Sequence, residues 1–148
     1  MAFLGSLDIA GSALTASRLR MDVISENIAN ASTTRTQQGG PYRRKMVVYR
    51  PAEDGSDFRS ALDGELGASS RAPGGVEVAG IVEDRTPSTP VYDPANPDAD
   101  ARGYVQMPNV DVTKEMLDMM AVNRAYTANI NALNAVKGMA GKALEIWK

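Results

Sequence analysis

Few residues in this chain could do chemistry, and their types narrow what that chemistry could be. The 148 residues include no cysteine and no histidine. Disulfides, thiol nucleophiles, imidazole general bases and Cys/His zinc sites are therefore all absent. The sequence holds neither a Gly-Lys-Ser/Thr phosphate loop nor a nucleophile elbow. Two clusters remain. DPANPDADARG, Asp93–Gly103, gathers three aspartates as a calcium loop would, but it lacks the alternating ligands and closing glutamate of an EF-hand, so it reads as a turn-rich loop. YRRK, Tyr42–Lys45, followed by Tyr49, has the basic and aromatic mix of a nucleic-acid surface. A net charge of −2 provides no general pull toward a polyanion, and the run reads instead as a solvated or ion-paired strand start. No metal, cofactor, small-molecule substrate or nucleic acid is expected. Carboxylate-based catalysis is the one enzymatic class left open, and no spacing points to a pocket for it.

The elements that would position these residues fall into three zones: 1–31, 32–108 and 109–148. In the first, Phe3, Leu7, Ala10, Leu14, Ser17, Met21, Ile24 and Ile28 recur at alternating spacings of four and three. That is the 3.5-residue repeat of a coiled-coil seam on an amphipathic helix. In the third, a longer helix begins near Val112, with Asp111 as its N-cap and Glu115 in its first turn, where a carboxylate suits the helix dipole. It carries two such stripes side by side. One contains Val112, Met116, Met119, Asn123, Tyr126, Ile130, Leu133, Lys137, Ala140, Leu144 and Trp147. The other contains Val122, Ala125, Asn129, Ala132, Val136, Met139, Ala143 and Ile146. The middle zone holds all eight prolines. Lys45–Arg50, Gly75–Glu83, Pro90–Tyr92 and Gly103–Met107 read as short strands there, and 51–75 and 93–103 as loops. The fold class expected is α+β and predominantly helical: terminal helices paired as an antiparallel coiled coil, with a small β-containing insertion between them. The N-terminus reads neither as a cleaved secretory signal nor as a transmembrane span.

One apolar stripe needs one partner helix; two adjacent stripes need two. The first helix supplies one partner, and other protein chains are expected to supply the second, the alternative being that the β insertion folds back over it. Asn123 and Asn129 lie on these stripes. A seam amide costs stability but sets register, because it is satisfied only opposite one partner group. Gly138 and Gly141 each weaken an isolated helix by about 1 kcal/mol, so the helices are expected to gain order on assembly.

ENIANASTT, Glu26–Thr34, resembles the Asn-x-Ala-Asn motif that ends the first helix of the bacterial flagellar axial proteins, the rod, hook and hook-associated subunits. Glu115–Ile146, with Arg-Ala-Tyr-x-x-Asn at Arg124–Asn129, resembles their C-terminal helix. GGPYRRK at Gly39–Lys45, the run Val91–Val112 and the short length are similar to the proximal-rod members of the basal-body rod family. The resemblance implies a structural subunit, not an enzyme. It would polymerise helically around an export channel as part of the drive shaft crossing the periplasm, and be exported uncleaved by the flagellar type III apparatus. The implied partners are further copies, other proximal- and distal-rod subunits, the adapter FliE and the export apparatus. Asn27 and Asn30 are expected to end the first helix and tie its exit to the last. The surface expected to meet neighbours comprises Leu7, Leu14, Met21, Ile24, Asn27, Ile28 and Asn30, together with Met116, Met119, Asn123, Arg124, Tyr126, Asn129, Ile130, Leu133, Val136, Met139 and Leu144. A secreted coiled-coil translocator or effector is the alternative, and it would lack the middle-zone motifs.

Overall fold

A computed structural model of the chain describes residues 2–52 and 74–145, so most of the loop expected over 51–75 lies outside the described residues. Among the described residues two long helices bracket four short strands: α1 Ala2–Ala29, β1 Lys45–Pro51, β2 Val76–Glu83, β3 Thr89–Tyr92, β4 Tyr104–Met107 and α2 Val112–Glu145. The class is α+β and largely helical. Asp111 caps α2: its carboxylate accepts from the Thr113 and Lys114 amides at 2.9 and 3.3 Å, satisfying donors that the first turn leaves unpaired. Asn30 closes α1, donating to the Glu26 carbonyl at 2.9 Å and accepting from the Thr33 hydroxyl at 3.2 Å.

The strands form two antiparallel hairpins. β1 pairs with β2 from Lys45↔Glu83 to Pro51↔Val76, with an irregularity between Val48 and Tyr49. β3 pairs with β4 from Thr89↔Met107 to Tyr92↔Tyr104. The connecting loop DPANPDADARG spends its polar groups on turns. The Asp93, Asn96 and Asp100 side chains each accept from backbone amides a few residues on, and Asp98 takes the Thr34 hydroxyl at 2.7 Å. Gly103 has φ +80, and a Cβ there would meet the Tyr92 ring at 3.0 Å, so glycine suits both the backbone and the space.

α1 and α2 lie side by side and run in opposite directions. Asn27, near the end of α1, bonds Glu115 in the first turn of α2, while Ala13–Arg20 faces the groove it shares with Ala121–Ala125. The β1–β2 hairpin packs on another side of α1. This second neighbour moves the line of deepest burial. Ala16, Val23, Ile24 and Asn27 are buried, whereas Leu7, Ala10, Leu14, Ser17, Met21 and Ile28 of the expected seam are half-buried. A helix held between two neighbours buries a broader arc than one stripe, and the small Ala16 side chain permits close approach.

On α2, beside the half-buried Asp118 and Ile130, one inward line runs through Glu115, Met119, Val122, Tyr126, Asn129, Leu133, Val136 and Ala140. They keep the 4,3 spacing but draw on both expected stripes. Val112, Met116 and Asn123 of one stripe, and Ala125, Ala132, Met139 and Ala143 of the other, stay exposed. The hairpin does not cover them, since its backbone contacts among the described residues are with α1. The buried apolar side chains include Ala16, Val23, Ile24, Tyr42, Val105 and Val122. No helix among the described residues is long and apolar enough to cross a membrane.

A core this small makes each buried methyl count. Val122→Ala is expected to lower the stability of the dilute subunit by about 1–2 kcal/mol, at ~0.8 kcal/mol per buried carbon. Met139→Ala, at a position 63% exposed, is expected to change it by less than about 0.5 kcal/mol. Urea unfolding followed by circular dichroism measures both.

Candidate functional site

The described residues offer two features to a function: a buried polar junction where α1, β1 and α2 meet, and an outward face of α2 that none of the described residues covers.

The junction is built around the primary amide of Asn27, which is 1% exposed. Its nitrogen donates to the Lys45 carbonyl at 2.9 Å and to Glu115 Oε2 at 3.0 Å. Its oxygen accepts from the Lys45 amide at 2.9 Å and from the Tyr42 hydroxyl at 3.0 Å. A primary amide has two donors and two acceptor sites, and here all are used. Toward β1 the side chain acts as a peptide group would: it pairs with both backbone groups of Lys45 and covers the free edge of the strand. Asn109 holds the preceding residue by its amide alone and reaches across to the chain leaving β2. It accepts from the Arg44 amide at 2.8 Å and donates to the Asp84 and Thr86 carbonyls at 3.2 and 3.1 Å. Aspartate lacks the donors, and glutamine would carry the amide one carbon too far.

Glu115 is fully buried. Oε1 receives Arg44 Nε at 2.6 Å, and Arg44 Nη2 reaches Asp118 at 3.4 Å. A buried carboxylate persists only when its charge is matched and its lone pairs are bonded. Arg44 provides the charge, and Asn27 provides the bond on the other oxygen. Lys45 Nζ pairs with Glu26 and lies 5.7 Å from the centre of the Tyr42 ring. The Tyr42 hydroxyl is pushed up to about 12, chiefly by burial and then by the nearby charges of Glu26, Glu115 and Glu83. At the rim, hydrogen bonds from the Thr86 hydroxyl and amide hold the Asp84 carboxyl below its usual value, with Arg44 and Lys114 adding to the effect. No buried side-chain polar atom among the described residues lacks a partner. The arrangement fastens segments together; it presents no reactive group to an open cleft.

The residues expected at a subunit interface separate in the structure. Asn27 and Ile24 are buried within the chain, and Leu7, Leu14, Met21, Ile28 and Asn30 are half-buried beside them. Asn30 bonds its own helix and the turn after it, so only Asn27 ties the exit of α1 to α2. Met119, Tyr126, Asn129, Ile130, Leu133 and Val136 are half-buried on α2. Met116, Asn123, Arg124 and Met139 are exposed, and the Leu144 side chain lies outside the described residues. Leu117, at 60% exposed, and Met120, at 51%, join Met116 on the outward face. Below them lies a shallow hollow lined by Met120, Asn123, Arg124, Thr127, Ala128 and Asn131. Sequence reasoning missed Arg44, Asn109 and the burial of Glu115. The basic strand start YRRK carried the signal, but the partner of Arg44 lies 71 residues away.

Two substitutions probe the junction. Asn27→Asp sets a second carboxylate against Glu115 and removes both donors, for an expected loss of roughly 3–5 kcal/mol. Like charges raise a carboxyl's folded-state value, so the variant should be relatively more stable in mild acid and lose that stability as the pH rises to neutral; urea melts across pH test this. For Tyr42, the raised folded value favours the protonated hydroxyl. Its contribution should be complete below pH 10 and vanish as the pH climbs toward about 12. The stability difference between the parent and Tyr42→Phe should shrink across that window.

Comparison with known proteins finds full-length relatives. Residues 7–37 match the model described as flagella basal body rod protein, and residues 101–146 match that described as flagellar basal body rod FlgEFG protein C-terminal. These matches include the helix ends that form the junction. The flagellar basal-body rod protein FlgC of Bacillus subtilis is 51% identical, over 97% of this chain and 97% of its own length. Its counterparts in Borreliella burgdorferi and Salmonella typhimurium are 43% and 45% identical, each over 99% of this chain and 98% of their own. The chain therefore belongs to the FlgC family of flagellar basal-body rod proteins.

Proposed function

We propose that the chain is a structural subunit of the flagellar proximal rod, assembling helically through α1 and α2 into the shaft that transmits torque and encloses the export channel. Full-length similarity to the FlgC proteins carries this reading, and the family is structural, not enzymatic. The uncovered face of α2 supports it physically. Met116, Leu117, Met120 and Met139 are exposed, and the exposed side chains of Asn123, Asn131 and Asn134 make no hydrogen bond to the described residues of their own subunit. Apolar area and unsatisfied amides on one helix face are what a neighbouring helix would cover.

In this reading α1 and α2 form the antiparallel coiled coil, consistent with the 4,3 spacing of the inward residues of α2. The half-buried seam of α1 and the exposed face of α2 meet other copies, other rod subunits and the adapter FliE. The hairpins lie further from the channel. Export proceeds through the type III apparatus without signal cleavage, and the assembled rod crosses the periplasm. The translocator or effector alternative has no observation in its favour.

The test uses a strain lacking the native protein. Leu117→Glu and Met120→Glu alter exposed side chains and should leave the dilute subunit as stable as the parent in urea. Both should abolish rod assembly and swimming. Normal swimming with either charged variant would place the interface elsewhere. The chain has no cysteine, so Met120→Cys gives a unique cross-linking handle, expected to join subunits in purified basal bodies.

A further inference from the structure

The expected seam of α1 is degenerate. Leu7, Leu14, Met21 and Ile28 recur every seven residues, so a slide of one heptad, ~10 Å at ~1.5 Å per residue, offers a partner nearly the same apolar face. Packing alone sets lengthwise position weakly. Two polar attachments to the β1–β2 hairpin do not repeat in this way. One is Asn27 on both backbone groups of Lys45, at the start of β1. The other lies where β1 ends. There Val76, the partner of Pro51, donates its amide to Ser12 Oγ at 3.1 Å, and Ser12 in turn donates to the Ile9 carbonyl at 2.9 Å. Gly75, with φ +145, allows this approach, because a Cβ there would stand 2.5 Å from Ser12 Oγ.

The two attachments are matched in length. From Lys45 to Pro51 the strand advances roughly 20 Å at ~3.3 Å per residue. From Ser12 to Asn27 the helix advances roughly 22 Å at ~1.5 Å per residue. From the far pin inward, Val76 and Tyr49 line one groove with Ala13, Ala16, Ser17 and Arg20 of α1.

We propose that the β1–β2 hairpin is a strap pinned to α1 at Ser12 and Asn27, and that it fixes the lengthwise register of α1 against α2. The base of the hairpin is held to the start of α2 by Arg44, which reaches Glu115 at 2.6 Å and Asp118 at 3.4 Å, so a heptad slide of α1 along α2 would have to break both pins together. The device belongs to the single subunit and does not rest on its assembly into a rod.

The test uses the full chain in dilute solution. Spin labels at the exposed positions of Arg18→Cys and Lys137→Cys report the distance between the helices. The otherwise native chain should give one distance, and Ser12→Ala with Asn27→Ala together should give a second population shifted by about one heptad, ~10 Å. A folded double variant with the single native distance would overturn the proposal. Gly75→Ala and Ser12→Ala each release only the far pin and spare the buried junction. In both, the Val76 amide should exchange about two- to tenfold faster, the worth of one hydrogen bond, and the first half of α1 should follow while its last turns stay protected. Unchanged exchange in that first half, with the Val76 amide released, would equally overturn it.

Discussion

The primary amide of Asn27 is the constraint on which the rest of the subunit depends. It is withdrawn from water, and a buried amide with an open valence is costly. Each of its bonds therefore dictates the position of something else. The two to Lys45 place the start of β1 along α1. The one from Tyr42 brings the turn before β1 down onto the helix. The one to Glu115 places the first turn of α2. No apolar side chain could do this, because dispersion contacts are non-directional and tolerate small rotations and slides. Asn109, working from the segment before α2, grips the neighbouring Arg44 amide and the chain leaving β2 in the same way.

The charges at the junction follow from that placement. Once the first turn of α2 abuts α1, the Glu115 carboxylate has no route to solvent. Arg44 reaches it from β1's side at 2.6 Å, and it sits where the amide dipoles of a helix start favour a negative charge. A buried ion pair of this kind adds little net stability compared with a well-packed apolar pair, while removal of one partner is severe. Its contribution here is orientation: residues far apart in the chain are held in one arrangement. The raised value of the Tyr42 hydroxyl has the same origin, a buried phenol ringed by carboxylates that keep it protonated and donating to Asn27.

Beyond the junction the subunit is thinly cored. Among the described residues the buried apolar side chains are few, and much of α2 beyond its midpoint turns apolar or amide groups outward. Such a molecule is specific at one end and unfinished along its length. In the rod reading these are complementary properties. A subunit that must meet several neighbours keeps apolar helix faces available, and it keeps its own shape through directional polar bonds that do not compete with those faces. The hairpin pinned along α1 adds a lengthwise reference that a repeating seam lacks.

Local features were legible in the sequence because their causes are local. Hydrophobic periodicity marked the two terminal helices, Asp111 marked the start of α2, and β-branched residues between Pro and Gly marked the four described strands within a residue or two. The turn-forming aspartates of 93–103 could be told from a calcium loop by the same means. What only the tertiary structure decided was which face of each helix is inside. A 3.5-residue repeat leaves rotation about the axis and position along it nearly degenerate, so the inward line of α2 crosses both expected stripes and that of α1 shifts toward the hairpin. The asparagines show the same limit. Asn27 and Asn123 are the same residue on helices, yet one is saturated and buried and the other exposed. An amide's worth depends on partners 18 and 88 residues away, and no local pattern encodes those distances; the packing of three elements does.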